Sequence, residues 1–222
     1  MCFREYLVEK KKIILVGGGG HCRACIDVIE AQGKFLIAGI IDVKEKQHQK
    51  VSGYEVIGCD EDLPGLINQY KYYLVTIGQV KNAEKRKTSF NYLRKLGAVF
   101  PVIISPLAYV SHKASIGDGT IVMHNAFINS SADIGRNCII NTGVIIEHDV
   151  KIEDNCHVST GAIVNGQCLV GECTFLGSGS ITTNNITISK KTIVGIGTCV
   201  INSITTCGVY AGNPARKLGK NE

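Results

Sequence analysis

The sequence contains no tryptophan, only four prolines and few aromatic residues, which make up 6% of its 222 positions. It also lacks any uncharged apolar run near the ~18 to 20 residues of a membrane-spanning helix. Charged residues, among them Arg4, Glu5 and Glu9, stand near the start in place of the apolar core of a secretion signal. These absences predict a cytoplasmic protein without membrane insertion.

Positive charge is in mild excess and is confined to the first half. The formal net charge is +5, and residues 1–100 carry 16 Lys and Arg against 11 Asp and Glu, whereas the two signs balance in the remainder. This excess is too weak and too dispersed for a nucleic-acid surface, which normally needs a clustered basic stripe. It suits a small phosphorylated ligand, although a solvated basic surface explains these residues equally well when they are taken singly.

Cysteine is abundant, with ten residues in the chain. Without an export signal, we expect reduced thiols that fill small apolar spaces. Cys22 and Cys25 have the spacing of a redox motif, but close packing of a helix on a sheet explains these small side chains better. No second pair with this spacing completes a structural zinc site, so no metal is expected.

The second half repeats with a period of six residues. Fifteen of the sixteen positions from Val110 to Val200, taken in steps of six, are aliphatic, and Thr182 is the exception. Glycine and asparagine are frequent one and three positions later, and because both tolerate left-handed backbone angles, those positions are predicted corners. Short strands joined by such corners, three to a turn, make a parallel β-helix with about 18 residues per coil.

The outward side chains of this predicted β-helix divide into three faces, because alternate residues of a strand point in opposite directions. The first face is apolar and reads Phe127, Ile145, Ile163 and Ile181. The second face is also largely apolar and reads Ile121, Ile139, His157, Phe175 and Ile193. The third face is mostly polar and reads Ser115, Asp133, Lys151, Leu169 and Thr187. Two apolar faces predict a homotrimer in which the first face of one subunit packs on the second face of the next.

His148 is the candidate general base. It stands at the predicted corner between the first and third faces, which in the trimer lies at the mouth of the groove between subunits. Glu147 and Asp149 flank it, and either carboxylate could orient the imidazole, while His157 of the partner subunit lies on the opposite wall. For a single outward histidine, a solvated or capping role is the more common alternative.

The first half predicts a small α/β domain with a parallel sheet. Residues 12–16 have the pattern of a buried strand and are followed by the glycine-rich turn Gly17 to His21 and by a helical stretch that ends before Gly33. Further strands are predicted at about 36–41, 73–77 and 99–104, with a helix near 82–96. Unpaired backbone N–H groups and the helix dipole make such a turn a phosphate-binding site. Cys22 replaces the third small residue of a dinucleotide fingerprint, which disfavours NAD.

The repeat, the corner Glu147-His148-Asp149 and the segment from His157 to Ala162 together resemble the hexapeptide-repeat (left-handed β-helix) acyltransferases. The chain is most similar to bacterial sugar acetyltransferases of the sialic-acid O-acetyltransferase and nucleotide-amino-sugar N-acetyltransferase type. This resemblance implies a Rossmann-like substrate-binding domain over residues 1–105 and a left-handed β-helix acetyltransferase domain over residues 106–222. It also implies a role in bacterial surface polysaccharide biosynthesis.

The resemblance further implies catalytic and donor-binding residues. His148 would be the general base and Asp149 its orienting partner, with Glu147 in the same segment. His157 would lie near the donor, acetyl-CoA. The remaining donor contacts would be Gly177, Gly179, Gly195 and Gly197 along the pantetheine arm, and Lys190, Lys191 or Arg216 near the phosphates.

The N-terminal domain of the resembling enzymes holds the nucleotide of a nucleotide sugar. The positions that match are Gly17, Gly19, Gly20, His21, Asp42 and Gly78. Asp42, at the end of the second strand, would lie near the base. Val43 stands where a second acid is often found and Gln79 replaces the usual Asn or Asp, and these departures leave the sugar and its nucleotide open.

The sequence therefore predicts an acetyl-CoA-dependent acetyltransferase that acts on an amino group of a nucleotide-linked amino sugar. The close alternative is O-acetylation of a sialic-acid-like sugar. A trimeric zinc hydratase of the γ-carbonic-anhydrase type would use His112 and His148, two coils apart, but the third histidine that it needs shortly afterwards is missing. The non-enzymatic alternatives are a sugar-nucleotide binding protein and a scaffold or ice-binding β-helix, although no face carries the regular threonine row of an ice-binding surface.

Overall fold

The computed structural model describes residues 10–219, which form an N-terminal α/β domain and a C-terminal parallel β-helix. The outer ends of the two predicted domains, residues 1–9 and 220–222, lie outside the described residues. The first domain consists of β1 (Lys11–Val16), α1 (Gly20–Gln32), β2 (Phe35–Ile41), β3 (Lys50–Val51), β4 (Tyr54–Gly58), α2 (Leu63–Leu66), β5 (Tyr72–Val75) and α3 (Glu84–Lys95). Two 3₁₀ turns lie at Lys44–Lys46 and Asp60–Asp62.

The N-terminal sheet has the strand order β3-β4-β2-β1-β5, in which β3 alone runs antiparallel to its neighbour. Alternate residues of β1 pack into apolar clusters on opposite faces of the sheet. Ile13 and Leu15 pack with α1, whereas Ile14 and Val16 pack with α3. Burial of apolar side chains on both faces is typical of a parallel sheet covered by helices on either side.

The predicted strand at 99–104 does not belong to this sheet. Val99 forms only a single bridge to Tyr72, and Ile103–Ile104 instead pairs with Ile121–Val122 of the β-helix. Pro101 lies between the two pairings and has no backbone N–H to donate to a ladder. The β3–β4 hairpin was missed, although its two-residue turn, Ser52 and Gly53, is a recognisable hairpin signal.

The β-helix follows the predicted period. Its partners are 18 residues apart, as in the parallel pairs of Phe127 with Ile145 and of Asp133 with Lys151. The first face contains Tyr109–Val110, Phe127–Ile128, Ile145–Ile146, Ile163–Val164, Ile181–Thr182 and Cys199–Val200. The second face contains Ile103–Ile104, Ile121–Val122, Ile139–Ile140, His157–Val158, Phe175–Leu176, Ile193–Val194, Val209–Ala211 and Arg216–Gly219. The third face contains Ser115–Ile116, Asp133–Ile134, Lys151–Ile152, Leu169–Val170 and Thr187–Ile188.

The core of the β-helix is a stack of inward aliphatic side chains with small residues between them. Cys138, Cys156 and Cys168 are buried in this stack, as expected for cysteines that serve as packing residues. Thr182 is also buried, and its hydroxyl accepts a hydrogen bond from the backbone N–H of Asn165 at 3.0 Å. The one polar member of the aliphatic column is therefore hydrogen-bonded inside the core.

The second face packs on the N-terminal domain of the same chain, which corrects the expectation that it is free for a partner subunit. Ile121 and Ile139 share an apolar cluster with Ile26 and Ile29 of α1. The first face remains open. There Tyr109 and Phe127 are 54% and 39% exposed, and their rings stack with centroids 4.8 Å apart.

Polar contacts also join the two domains. The His124 ring lies between Asp27 Oδ2 at 2.7 Å and Ser105 Oγ at 2.6 Å. Lys87 of α3 forms an ion pair with Glu172 of the β-helix at 2.6 Å. The helices found within residues 10–219 are too short or too polar to cross a membrane.

Candidate active site

A cavity of about 700 Å³ opens at the carboxyl ends of the parallel strands in the N-terminal domain. Ligands of open α/β sheets bind at this edge. The structure brings all six residues that were predicted to bind substrate to the wall of this one cavity, namely Gly17, Gly19, Gly20, His21, Asp42 and Gly78.

The glycine-rich turn between β1 and α1 forms one side of the cavity. A Cβ at Gly17, where φ is +105°, would lie 2.5 Å from Ile77 Cγ1, and a Cβ at Gly18 would lie 2.7 Å from Asp42 Oδ2. The backbone N–H groups of Gly19, Gly20 and His21 have no acceptor within the described part of the chain. Because they lie at the N-terminus of a 13-residue helix, they are suited to bind an anion.

Asp42 braces this turn. Its carboxylate accepts hydrogen bonds from the backbone N–H groups of Gly18 at 3.0 Å and Val43 at 2.8 Å, and from Lys46 Nζ at 2.8 Å. Burial raises the pKa of Asp42, but the hydrogen bonds from Lys46, Val43 and Gly18 outweigh it, so the pKa lies below its ordinary value. The residue expected near the base thus lines the cavity with its carboxylate already engaged by protein donors.

Several cavity residues were missed by the sequence analysis. Lys85 and Ser89 of α3 line the cavity, as do Lys44, Lys46 and the turn Cys59 to Glu61. Lys85 is one of the basic residues for which a solvated surface was an equally good explanation in the sequence. Lys85 and Ser89 are four residues apart, which places both on one face of a helix. This spacing was the signal in the sequence that could have identified them together.

The candidate base lies on the β-helix, at the corner between the first and third faces. His148 Nδ1 is 2.8 Å from Asp149 Oδ2, and both side chains are 51% exposed. An ionised carboxylate can only accept a hydrogen bond, so Nδ1 donates, and a ring with its single proton on Nδ1 has a lone pair on Nε2. Glu147 instead accepts a hydrogen bond from Asn129 Nδ2 at 2.8 Å. Of the two flanking acids, only Asp149 is paired with the imidazole.

Gly166 lies beneath the His148 ring in the next coil. A Cβ at Gly166 would lie 2.8 Å from both Cε1 and Nε2 of His148. The ring can occupy its observed position only because residue 166 has no side chain. The backbone N–H of Gly166 has no acceptor among the residues that the structure describes.

His157 is buried under the N-terminal domain of its own chain, and its expected place on the groove wall opposite His148 stays a prediction. It is 7% exposed, and its Nδ1 lies 2.8 Å from the backbone carbonyl oxygen of Gln79. Because a carbonyl only accepts, Nδ1 must carry the proton and Nε2 must be the acceptor. Asn141 Nδ2 donates to Nε2 at 3.2 Å, while Asn141 Oδ1 accepts from the backbone N–H of Thr142. These contacts define a single tautomer of His157.

His21 connects His157 to the cavity. The two rings lie with centroids 6.3 Å apart, and His21 is in the cavity wall. Burial, with a smaller contribution from the positive charge of Arg86, lowers the pKa of His21 to about 4. Burial lowers the pKa of His157 to about 3, against the opposing effect of the hydrogen bond to Gln79. Both imidazoles are therefore neutral at neutral pH.

The predicted donor-binding residues lie on other edges of the prism than His148. Gly177, Gly179, Gly195 and Gly197 occupy corners between the second and first faces. Lys190 and Lys191 occupy a corner between the third and second faces, and Arg216 begins the last strand. Lys191 also lies 3.8 Å from Glu84. Since one chain does not bring these positions to His148, a single acetyl-CoA that contacts both would need a second subunit.

The described residues contain no group of three His, Cys, Asp or Glu side chains arranged to hold a metal ion. His112 and His148 do share one corner column of the β-helix, as expected from their spacing of two coils. No third ligand accompanies them in the part of the chain that the structure describes.

Comparisons with known proteins cover both domains. Residues 12–93 match the family described as the PglD N-terminal domain. The structure is similar to that of a histidine-substituted variant of perosamine N-acetyltransferase from Caulobacter crescentus in complex with CoA and GDP-perosamine. The identity is 31%, the TM-score is 0.88, and 94% of this chain and 97% of that chain are covered. Among curated proteins, none matches this sequence.

Two further structures are similar over the same length. The acetyltransferase domain of PglB from Neisseria gonorrhoeae, in complex with acetyl coenzyme A, is 28% identical with a TM-score of 0.86, and 94% of this chain and 100% of that chain are covered. WeeI from Acinetobacter baumannii is 23% identical with a TM-score of 0.83 and the same coverage, which shows a shared fold.

Proposed function

Because this chain belongs to the family of hexapeptide-repeat (left-handed β-helix) sugar acetyltransferases, we propose that it transfers an acetyl group from acetyl-CoA to the amino group of a nucleotide-linked amino sugar. The observation that carries the proposal is the pairing of the half-exposed His148 side chain with Asp149, which leaves Nε2 as the acceptor. A neutral imidazole oriented in this way is suited to remove a proton from an attacking amine.

In the proposed reaction, the sugar amine attacks the thioester carbonyl while His148 Nε2 takes the amine's proton. The Asp149 carboxylate stabilises the imidazolium that forms. When the tetrahedral intermediate collapses, the C–S bond breaks and the proton passes from the imidazolium to the leaving CoA thiolate. General base catalysis of this kind contributes typically ~10²- to 10⁴-fold.

The backbone N–H of Gly166 is the proposed donor to the developing oxyanion. It has no acceptor within residues 10–219 and belongs to the residue on which the His148 ring lies. A donor of this kind, fixed in advance, stabilises charge that develops only in the transition state.

The N-terminal cavity is the proposed site of the sugar nucleotide. Its volume of about 700 Å³ is within the range of small-ligand pockets. The bare N–H groups of Gly19, Gly20 and His21 would bind the diphosphate, with Lys85 as a further cation on the wall. The comparison structure from Caulobacter crescentus contains GDP-perosamine, which supports a nucleotide-linked amino sugar as the substrate class.

A homotrimer would unite the two sites. His148 is not in the wall of the cavity of its own chain. The open first face, with Phe127 and Tyr109 exposed, offers an apolar surface for a second copy of the chain. We therefore propose that the sugar held in one cavity meets His148 of the partner subunit. The cytoplasmic location remains a prediction.

O-acetylation of a sialic-acid-like sugar would use the same base, because a hydroxyl also loses a proton as it attacks. A panel of UDP-, GDP- and dTDP-linked amino sugars and free sialic acids, assayed for CoA release, separates the two reactions. We expect turnover with an amino sugar nucleotide and its loss in His148→Ala. Turnover with sialic acids alone would favour O-acetylation, and near-normal activity of His148→Ala would contradict the assignment of the base.

A further inference from the structure

Arg86 is a fully buried cation at the junction of the two domains. It extends from α3, is 1% exposed, and donates hydrogen bonds to the backbone carbonyl oxygens of Asn137 and Asn155, the latter at 2.6 Å. These carbonyls belong to equivalent corners of consecutive coils. Its third acceptor is the side-chain oxygen of Gln79. Within residues 10–219, no carboxylate is paired with Arg86.

Stability alone does not explain a charge at this position. Burial of an arginine among neutral acceptors has a large desolvation cost, and apolar residues of similar volume often stabilise such sites better. The Nε atom of Arg86 is buried and has no partner in the described structure. Burial accordingly lowers the pKa of the guanidinium below its ordinary value.

Gln79 connects this cation to His157. The Gln79 side chain accepts from Arg86 through Oε1 and donates to the backbone carbonyl of Cys173 through Nε2 at 3.2 Å. The backbone carbonyl of the same residue accepts the Nδ1 proton of His157. A hydrogen bond to Arg86 thus restrains the residue that selects the His157 tautomer.

The same segment contacts the cavity. Ile77 and Gly78, immediately before Gln79, line the cavity, and so do Lys85 and Ser89 on the helix that carries Arg86. One buried guanidinium therefore joins a cavity loop, a cavity helix and two coils of the β-helix.

We propose that Arg86 is a positioning residue that acts through Gln79 to hold His157 in one orientation, with the proton on Nδ1 and the acceptor on Nε2. The proposal rests on the proposed function and, in one respect, on the family resemblance, which implies that His157 lies near acetyl-CoA. Arg86 itself contacts neither acetyl-CoA nor the sugar.

Lys87 provides a matched control. It lies next to Arg86 on α3 and also joins the two domains, through its ion pair with Glu172 at 2.6 Å. It makes no contact with Gln79 in the described structure, so Lys87→Met weakens the domain junction without altering the proposed restraint.

The test uses Arg86→Met, Arg86→Lys and Lys87→Met in the full chain. Calorimetry measures the Kd for acetyl-CoA and, separately, for GDP and UDP. Long-range ¹H–¹⁵N correlation of the histidine rings identifies the tautomer of His157, with the signals assigned by His157→Asn. We expect Arg86→Met to raise the Kd for acetyl-CoA about tenfold, to leave nucleotide Kd values within about twofold and to mix the two tautomers. Arg86→Lys should restore part of both effects, and Lys87→Met should change neither.

Gln79→Glu and Gln79→Leu keep the proposal testable if Arg86→Met does not fold. The glutamate retains an acceptor for Arg86 and should preserve the tautomer, whereas leucine removes it and should mix the tautomers. A wild-type His157 with its proton on Nε2, or a single unchanged tautomer in every variant, would overturn the proposal. Absence of acetyl transfer by the wild type would instead count against the proposed function, since neither Kd nor tautomer requires turnover.

Discussion

His148 Nδ1 donates a hydrogen bond to Asp149 Oδ2 over 2.8 Å, while Glu147, on the other side of the histidine, is bound to Asn129 in the preceding coil. The two acids that flank the imidazole are equivalent in the sequence and distinct in the structure. This difference supplies a matched pair of variants for the catalytic assignment.

We predict that Asp149→Asn lowers kcat by about 10- to 100-fold, because the amide removes the negative charge that stabilises the imidazolium. Glu147→Gln should retain kcat within about threefold, since an amide oxygen can still accept from Asn129. Steady-state kinetics with saturating acetyl-CoA measures both. Equal losses in the two variants would contradict the assignment of Asp149 as the orienting partner.

We predict that Gly166→Ala lowers kcat by about 10²-fold, because its Cβ would displace the His148 ring, and misplacement of a catalytic group by 1 Å has effects of this size. The thermal midpoint should change little, since φ at Gly166 is not in the left-handed region. Gly65→Ala is the control, because a Cβ there meets nothing within 4 Å. Full activity of Gly166→Ala would show that the ring position does not matter.

The lowered pKa values of His157 and His21 predict that stability falls in mild acid. His157 and His21 have folded-state pKa values of about 3 and about 4, below the ordinary value of about 6.5 in the unfolded chain. At a pH between the folded-state and unfolded-state pKa values, each histidine binds a proton in the unfolded chain but not in the folded protein. Their contribution to stability is complete above about pH 6.5 and is lost as the pH falls.

Urea unfolding at pH 5, 6 and 7 checks this dependence. Each histidine should contribute a slope of about 1.4 kcal/mol per pH unit below its unfolded pKa. His157→Asn should therefore show a shallower decline than the wild type over this window. An unchanged slope would mean that His157 is protonated in the folded protein.

We predict that Lys85→Met raises the Kd for GDP or UDP about tenfold, because it removes a cation from the wall of the cavity. Lys95→Met, at the end of the same helix and outside the cavity wall, is the control. Calorimetry at two salt concentrations measures both, and the wild type should lose more affinity with added salt than Lys85→Met. Equal Kd values for the two variants would place the phosphates elsewhere.

The periodic part of the fold could be predicted from the sequence because its interactions repeat locally. A residue such as Phe127 pairs with the residue 18 positions later. The spacing of the aliphatic side chains in the sequence therefore predicts which strands pair. The glycine turn at Gly17 and Gly18 was equally readable, since its function depends on adjacent residues.

Features that depend on docking of the two domains were not predictable in this way. An outward isoleucine such as Ile121 has the same pattern whether it is covered by a partner subunit or by α1 of its own chain. Arg86 lies in the basic run Lys85-Arg86-Lys87, which is typical of a solvated helix, and only the placement of α3 on the β-helix buries it. The burial of His157 has the same origin.

In the proposed trimer, one subunit holds the sugar and the next supplies the base. Mixed trimers of two inactive variants test it most directly. His148→Ala lacks the base, and Gly19→Phe fills the cavity at a position where an added Cβ meets nothing within 4 Å. If the subunits are unfolded and reassembled together in equal amounts, about one quarter of the sites combine an intact cavity with an intact base from the neighbouring subunit. We predict that the mixture regains about one quarter of the wild-type rate of CoA release, whereas no recovery in properly assembled mixed trimers would contradict the account.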